Sequence, residues 1–445
     1  MARRLPLFAT AARGTEALLG DELTELGAAR VRLDRGGVRF LANLDEALRI
    51  ALWSRIAMRL LWPLAEGEAR GADGLYALAH QVPWEEHLGR DTTFAVEATL
   101  RDSEHRHSGF VALKIKDAVV DRLRARLGSR PDVDTRHPDL RIVGHLAGTH
   151  LSLSLDLVGA PLNRRGYRAR PTLAPLKETL AAAILRAARY TGDEPLVDPM
   201  CGSGTFLIEA GLIAVRRAPG LHQRMGVERW PGLGPDARRI LEALRADARA
   251  HERTAPAPIL GFDRNDEAVA AAQANVRAAR LGREVSISEG DATRPLPGLP
   301  AAGLLVTNPP YGDRLGSGGQ KGMKTFYFQL GEALGRLGGF RQMVLSGNPA
   351  FESAFHRRPV QRWPMWNGAI ECTLLEYPAR LPAPLIRGNA GDGSDPGLGA
   401  VEQPADVSPV RPEEQPEQRG GEPGGRRGRP GNRPRHRHRH QSPEK

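Results

Sequence analysis

The run Leu304-Leu-Val-Thr-Asn-Pro-Pro-Tyr-Gly312 decides how this chain is read. An apolar run that stops at an amide, two prolines and an aromatic cannot continue as helix, because proline lacks a backbone donor and restricts the residue before it. The expected structure is a buried strand over Leu304–Thr307 that ends in a rigid loop, Asn308, Pro309, Pro310 and Tyr311. Such a loop fixes an amide oxygen, a backbone carbonyl and a flat ring side by side, which suits gripping and stacking a planar amine. Asn-Pro also opens ordinary turns. Taken alone, the tetrapeptide fits either reading.

The sequence around it favours the chemical one. From Pro195 to Tyr377, short apolar runs alternate with helical spacing: strands at 195–197, 259–262, 285–288, 304–307 and 343–346, with helices at 205–216, 266–279 and 326–337. That alternation implies a doubly wound sheet that binds ligands at the carboxyl ends of its strands. The first strand runs into Asp198-Pro-Met-Cys-Gly-Ser-Gly-Thr205. There Gly202 and Gly204 let the backbone approach a ligand, and the helix opening at Thr205 offers free amides to a carboxylate. Cys201 and Ser203 lie in the same turn. The lysine of a phosphate-binding loop and the full GxGxxG pattern are both absent. Asp263 ends the second strand, where a carboxylate can accept ribose hydroxyls. Asp291 follows the third and can accept from an adenine amine. Either aspartate singly is as readily a turn or helix cap; four such features in order on successive strands are hard to ascribe to chance. Segment 217–258 is an insertion, partly helical at Asp236–His251, and Pro359–Tyr377 reads as a hairpin turning at Asn367-Gly368.

Upstream, Leu5–Thr10 reads as a strand, 15–26 as a helix closed by Gly27, 31–34 and 37–41 as paired strands, and 44–53 as a helix. Residues 62–74, rich in Gly, Ala and Glu, look like a joint. A second α+β unit follows to about Val158, with strands at 91–100, 140–146 and 150–157 around a helix at 109–127. That helix carries Lys114 and Lys116 on a basic face, which is compatible with RNA and equally with a plain solvated surface. The run Pro161–Arg170 clusters Arg164, Arg165, Arg168 and Arg170 around Tyr167, a composition suited to phosphate contact and base stacking. A charged linker would look the same.

The chain has 445 residues, 40% hydrophobic and 26% charged, which allows two to four domains with sizeable cores. Its net charge of +11 and pI of about 10.2 point to a polyanionic partner. The excess sits mainly on residues 1–380, since 381–445 carry eleven basic residues against nine acidic ones. That last stretch has no apolar period and is expected to be disordered. Two cysteines give neither a disulfide framework nor zinc spacing, so no metal is expected and the cytoplasm is the default compartment. No apolar run reaches membrane-spanning length.

LVDPMCGSGTFLIEA, GFDRN, EGDAT and TNPPYGDRLG together resemble the ordered motifs of class I S-adenosyl-L-methionine-dependent methyltransferases that act on exocyclic amines. With PLNRRGYR, APLKETLAAAIL and FATAARGTEALLGDEL, the chain resembles the THUMP-domain family of bacterial large-subunit rRNA guanine-N2 methyltransferases over nearly all of 5–377. The resemblance implies a ferredoxin-like segment at 1–62, a THUMP domain at 63–158, a Rossmann-like methyltransferase domain at 159–380 and a tail at 381–445. It implies S-adenosyl-L-methionine held by Asp198, Cys201, Gly202, Ser203, Gly204, Thr205, Asp263, Asp291 and Asn308. Asn308, Pro309, Pro310 and Tyr311 would clamp the acceptor amine, and Lys114, Lys116, Arg164, Arg165, Tyr167 and Arg168 would face RNA. The implied substrate is a guanine N2 in 23S rRNA, met on a pre-ribosomal particle. Transfer to tRNA guanine and a non-catalytic assembly role are the alternatives. Some family members fuse a second methyltransferase half after the first; the low-complexity end of this chain implies no second activity.

Overall fold

The computed structural model describes residues 3–169, 176–312 and 319–380, with only the backbone course given for Gly319 and Gln320. Arg170 and the expected tail at 381–445 lie outside the described residues, as do Asp313 and Arg314 of the TNPPYGDRLG motif.

The chain in order is β1 Leu5–Thr10, α1 Glu16–Glu25, β2 Ala29–Asp34, β3 Gly37–Ala42, α2 Leu44–Trp53, β4 Arg59–Glu68, α3 Gly71–Gln81, β5 Phe94–Arg101, α4 Ser108–Leu127, β6 Leu140–Ala147 and β7 His150–Asp156. These strands form one seven-stranded sheet in the order β2-β3-β1-β4-β7-β6-β5. The joint expected at 62–74 is instead the second half of β4 and the start of α3. β4 pairs antiparallel with β1, Leu61 opposite Phe8, and also with β7, from Leu61 opposite Asp156 to Glu68 opposite His150. Its composition misleads because Pro63 sits where the register shifts, the kind of place a strand tolerates proline. At the centre, Arg59 donates to the fully buried Asp156 at 2.6 Å and to Glu97 at 2.6 Å. Burial pushes the Asp156 carboxyl up in pKa and the Arg59 charge pulls it back.

The second half continues with α5 Glu178–Ala187, β8 Leu196–Asp198, α6 Thr205–Ala214, α7 Gly234–Ala250, β9 Ile259–Asp263, α8 Asp266–Ala278, β10 Val285–Glu289, β11 Gly303–Thr307, α9 Gly319–Gly335, β12 Phe340–Ser346, α10 Phe351–Phe355, β13 Gln361–Asn367 and β14 Ile370–Tyr377. The sheet order is β10-β9-β8-β11-β12-β14-β13, parallel except for the closing hairpin. Alternation along the strands explains the two layers. Leu196, Leu304, Val306, Met343 and Leu345 pack on one face with Phe206, Leu207 and Ile208 of α6, while Val197, Leu305 and Val344 pack on the other with Tyr327, Leu330 and Leu334 of α9. This is the doubly wound sheet that the alternation predicts.

The insertion at 217–258 belongs to the first half by packing. Leu221, Met225, Val227, Trp230, Leu241 and Leu244 join the same buried cluster as Leu48, Leu60 and Leu155. Its backbone is tied across as well: Gly220 N–H donates to Leu52, Gly226 to Val158 and Val227 to Leu157. Arg55, beyond the end of α2, donates to the Leu212 and Arg217 carbonyls at 3.2 and 2.9 Å, so a cation closes the carboxyl end of α6. Among the described residues no helix is long and apolar enough to cross a membrane.

Candidate active site

Two loops leave neighbouring strands of the second sheet, β8 and β11, at their carboxyl ends. The first runs from Asp198 to Thr205. Cys201 N–H donates to the Phe262 carbonyl at 2.8 Å, which ties the loop to β9. Gly202 then turns left-handed at φ +52° and donates its N–H to Asp263 Oδ2 at 2.9 Å. Gly204, at φ +81°, caps α6, and a Cβ there would lie 3.2 Å from Ala272 Cβ. A Cβ on Gly202 would meet nothing within 4 Å among the described residues. At Gly202 the loop therefore presents backbone without a side chain, just before the start of α6, while Cys201, Ser203, Gly204 and Thr205 are buried.

The carboxylates around it behave differently from one another. Asp198 is fully buried; burial pushes its pKa up to about 8, and the charge of Asp263 adds to the rise. A cation placed beside this pair would be stabilised and would lower the Asp198 pKa. Asp263 is half-buried and its second oxygen accepts Asn265 N–H at 3.0 Å, so both oxygens are already oriented. Asp291 uses Oδ1 to accept the Thr293 N–H at 2.9 Å and hydroxyl at 2.7 Å, leaving Oδ2 3.6 Å from Arg294. Burial acts against its charge, but those two hydrogen bonds hold its pKa below the ordinary carboxylate value. The Cys201 thiol is buried and pushed well above its ordinary pKa, first by burial and then by Asp198 and Asp263. It is a protonated packing group. An open glycine turn, a proton-holding carboxylate and two oriented carboxylates on successive strands fit the amino-acid end, ribose and base of S-adenosyl-L-methionine.

The second loop is Asn308–Tyr311, and it is held from several sides. Tyr327, fully buried in α9, donates its hydroxyl to the Pro310 carbonyl at 2.6 Å. Asn348 Nδ2 donates to the Tyr311 carbonyl at 2.8 Å. The Tyr311 hydroxyl donates to Asn308 Oδ1, so one lone pair of that amide oxygen is engaged and one stays available. The Tyr311 ring packs against Gly347, where a Cβ would lie 2.9 Å from ring Cδ2. Burial raises the Tyr311 hydroxyl pKa, Cys372 adds to it, and Asn367 and Asn308 act the other way, which sets the hydroxyl among these three side chains. The Pro309 carbonyl takes part in none of these bonds.

Behind the first loop lies the basic run expected to face RNA, and here the structure corrects the expectation. Arg165 has a side chain only 2% exposed; it donates to the Leu162 and Arg55 carbonyls and sits 3.6 Å from the buried Glu209 of α6. Tyr167 is buried, with its hydroxyl 3.2 Å from Glu209, and Arg168 pairs with Glu178 at 2.6 Å. These groups hold the connector onto α5 and α6 rather than offering charge to a polyanion. Lys116 pairs with Asp117 at 3.0 Å and Lys114 lies over the Phe110 ring at 5.8 Å. Arg164 alone of this set is exposed. Sequence reading also missed Asn275 of α8, which accepts Ala169 N–H at 2.9 Å and donates to the Ser203 carbonyl at 3.0 Å, joining connector and first loop. Nothing local marks it, because its partners lie 106 and 72 residues away.

Three families match successive parts of the chain: the RlmL ferredoxin-like domain at 6–61, the THUMP domain at 69–156 and the RMKL-like methyltransferase domain at 165–376. A protein of Synechocystis sp. (strain PCC 6803) carrying an RNA methyltransferase name is 40% identical over 84% of this chain and 96% of its own length. The chain belongs to this RMKL-like methyltransferase family. The ribosomal RNA large subunit methyltransferase K/L of Syntrophotalea carbinolica is 44% identical over 84% of this chain and 53% of its own, so the chain spans about half the length of that relative. Among solved structures, the methyltransferase SMU.472 in complex with SAH superposes with a TM-score of 0.77, at 29% identity, over 86% of this chain and all of that one.

Proposed function

We propose that this RMKL-like methyltransferase transfers a methyl group from S-adenosyl-L-methionine to the exocyclic N2 amine of a guanine in 23S rRNA, on a pre-ribosomal particle in the cytoplasm. The observation that carries the reading is the pairing of two loops on adjacent strands: a glycine turn with buried and half-buried carboxylates, beside a pinned Asn-Pro-Pro-Tyr loop whose Pro309 carbonyl accepts no hydrogen bond among the described residues and whose Asn308 amide oxygen accepts one, from Tyr311. The large-subunit rRNA name of the relative from Syntrophotalea supports the choice of RNA.

When bound, the cofactor supplies an electrophilic methyl on a sulfonium. The chain's part is positioning and electrostatics. Asp198 and the Cys201–Thr205 backbone hold the amino-acid end, Asp263 the ribose hydroxyls and Asp291 the adenine amine. An aromatic amine is a weak nucleophile because its lone pair is delocalised into the ring. Asn308 Oδ1 and the Pro309 carbonyl accept its two hydrogens, which favours a pyramidal nitrogen with its lone pair aimed at the methyl. Tyr311 stacks on the base, and Pro310, held by Tyr327, keeps the loop from yielding. Segments 1–62 and 63–158 act as the RNA-capturing modules, with the half-buried Lys114 and Lys116 on the second, and 159–380 as the catalytic domain, with the exposed Arg164 near its start. Unstacking the target base costs a few kcal/mol, which RNA capture offsets.

The test is to incubate the protein with labelled cofactor and unmodified 23S rRNA, then digest to nucleosides. Labelled N2-methylguanosine is expected. Label in adenosine, or only when tRNA replaces rRNA, would reject the reading.

A further inference from the structure

The FATAARG stretch that opens the chain has no part in the two loops, yet the structure brings it to their edge. The turn between β1 and α1 lies directly on β13: Gly14, at φ +87°, packs so closely that a Cβ would sit 2.2 Å from the Pro364 carbonyl oxygen. The Trp366 N–H donates to the Arg13 carbonyl at 3.2 Å. The Arg13 guanidinium carbon also lies over the Trp366 ring, 3.7 Å from its centroid. Arg13 is exposed and forms no salt bridge among the described residues.

Trp366 stands at the tip of the β13–β14 hairpin, and that tip abuts the acceptor loop. Ile370, exposed at 45%, and the Tyr311 ring approach the same point above Gly347, at 2.9 Å each from a Cβ built there. Asn367, the residue after Trp366, acts on the Tyr311 hydroxyl. A cation from the first seven-stranded sheet is thus held at the rim of the site on the second. Contact with the ring restrains the guanidinium, and its N–H donors make no hydrogen bond among the described residues. Guanidinium donors match the geometry of a phosphate, and the ring contact offsets part of the rotamer entropy lost on holding an exposed arginine.

We propose that Arg13, oriented by Trp366, binds a backbone phosphate of the RNA beside the target nucleotide and so sets the register in which the base reaches Tyr311. The inference rests on the reading that this site takes an RNA base. It gives the FATAARG turn a role in substrate positioning. Arg13 touches the nucleic acid and not the reacting amine.

The test uses the full chain, with wild type compared against Arg13→Ala and Arg13→Lys. Binding of unmodified 23S rRNA is measured by filter retention between 50 and 200 mM salt, and cofactor affinity and Tm are measured alongside. One lost phosphate contact lowers the slope of log affinity against log salt by about 0.7–0.9. Arg13→Ala is expected to show that drop, with RNA affinity falling roughly tenfold at low salt and with cofactor affinity and Tm unchanged. Arg13→Lys keeps the slope but recovers only part of the affinity, because it loses the stacked fork. A wild-type slope in Arg13→Ala overturns the proposal, as does a lowered Tm with the slope intact, which would make the stack a structural seam. Because binding is read without turnover, a wild-type protein that binds rRNA but leaves guanine N2 unmethylated would sink the proposed reaction and leave the phosphate contact standing or falling on its own slope.

Discussion

The two loops of the site are built in opposite ways. The glycine loop at Asp198–Thr205 is shaped by left-handed backbone and by side chains that bond its main chain, Asp263 at Gly202 and Asn275 at Ser203. The loop at Asn308–Tyr311 is rigid from sequence, through its prolines, and is then held by Tyr327 and Asn348 from elements that follow it. One is arranged to receive a flexible cofactor, and the other to hold two acceptor oxygens still while a poor nucleophile reacts. Damage to the first should therefore appear in cofactor affinity, and damage to the second in turnover.

The sharpest test of that division is Asn308→Ala. Turnover should fall by on the order of 10²–10³, with cofactor affinity near wild type by calorimetry; equal losses in both would erase the distinction. Asp198 offers a pH test of the first loop. The unfolded chain ionises this group near 3.8 and the folded chain near 8, so the folded state binds the extra proton between those values. Stability of the cofactor-free protein should then fall as pH rises from about 4 to about 8 and level off above. Asp198→Asn should flatten that profile in thermal melts. A ligand cation needs the ionised form, so wild-type affinity should also weaken as pH drops below 8, by up to about tenfold per unit.

Gly204→Ala should weaken cofactor binding by roughly tenfold, since a left-handed position and Ala272 both oppose the methyl at about 1–2 kcal/mol. Tyr327→Phe removes only one anchor of the second loop. A fall in kcat of roughly three- to tenfold is expected from a hydrogen bond worth about 1 kcal/mol, with cofactor affinity unchanged in the same preparation.

What sequence made legible follows the range of the interactions. The parallel strands show as short, largely apolar runs, and the turn glycines and strand-end aspartates are read where they lie. Pairings across long intervals left no such trace. β4 reads as a joint because its second half pairs with β7 alone and is only half-buried, so it needs no strict alternation, and Pro63 disguises it further. The arginines at 164–168 looked like an RNA arm because their carboxylates, Glu178 and Glu209, sit on helices that come later in the chain. The grip of segment 217–258 on the first sheet is invisible for the same reason: Trp230 stacks on Trp62 with ring centroids 6.5 Å apart, although 168 positions separate them in the chain.

The strand β4, hydrogen-bonded on one side to β1 and on the other to β7, also limits how the protein can be dissected. Cleaving the chain within 62–69 and separating the pieces would leave β1 its short pairing with 59–61 but strip β7 of most of its partner, a raw edge able to recruit further copies. The three sequence families therefore trace ancestry better than they mark separable parts. A fragment carrying 69–156 alone should aggregate where the intact chain stays dispersed, because the strand that would close its sheet was left in the other piece.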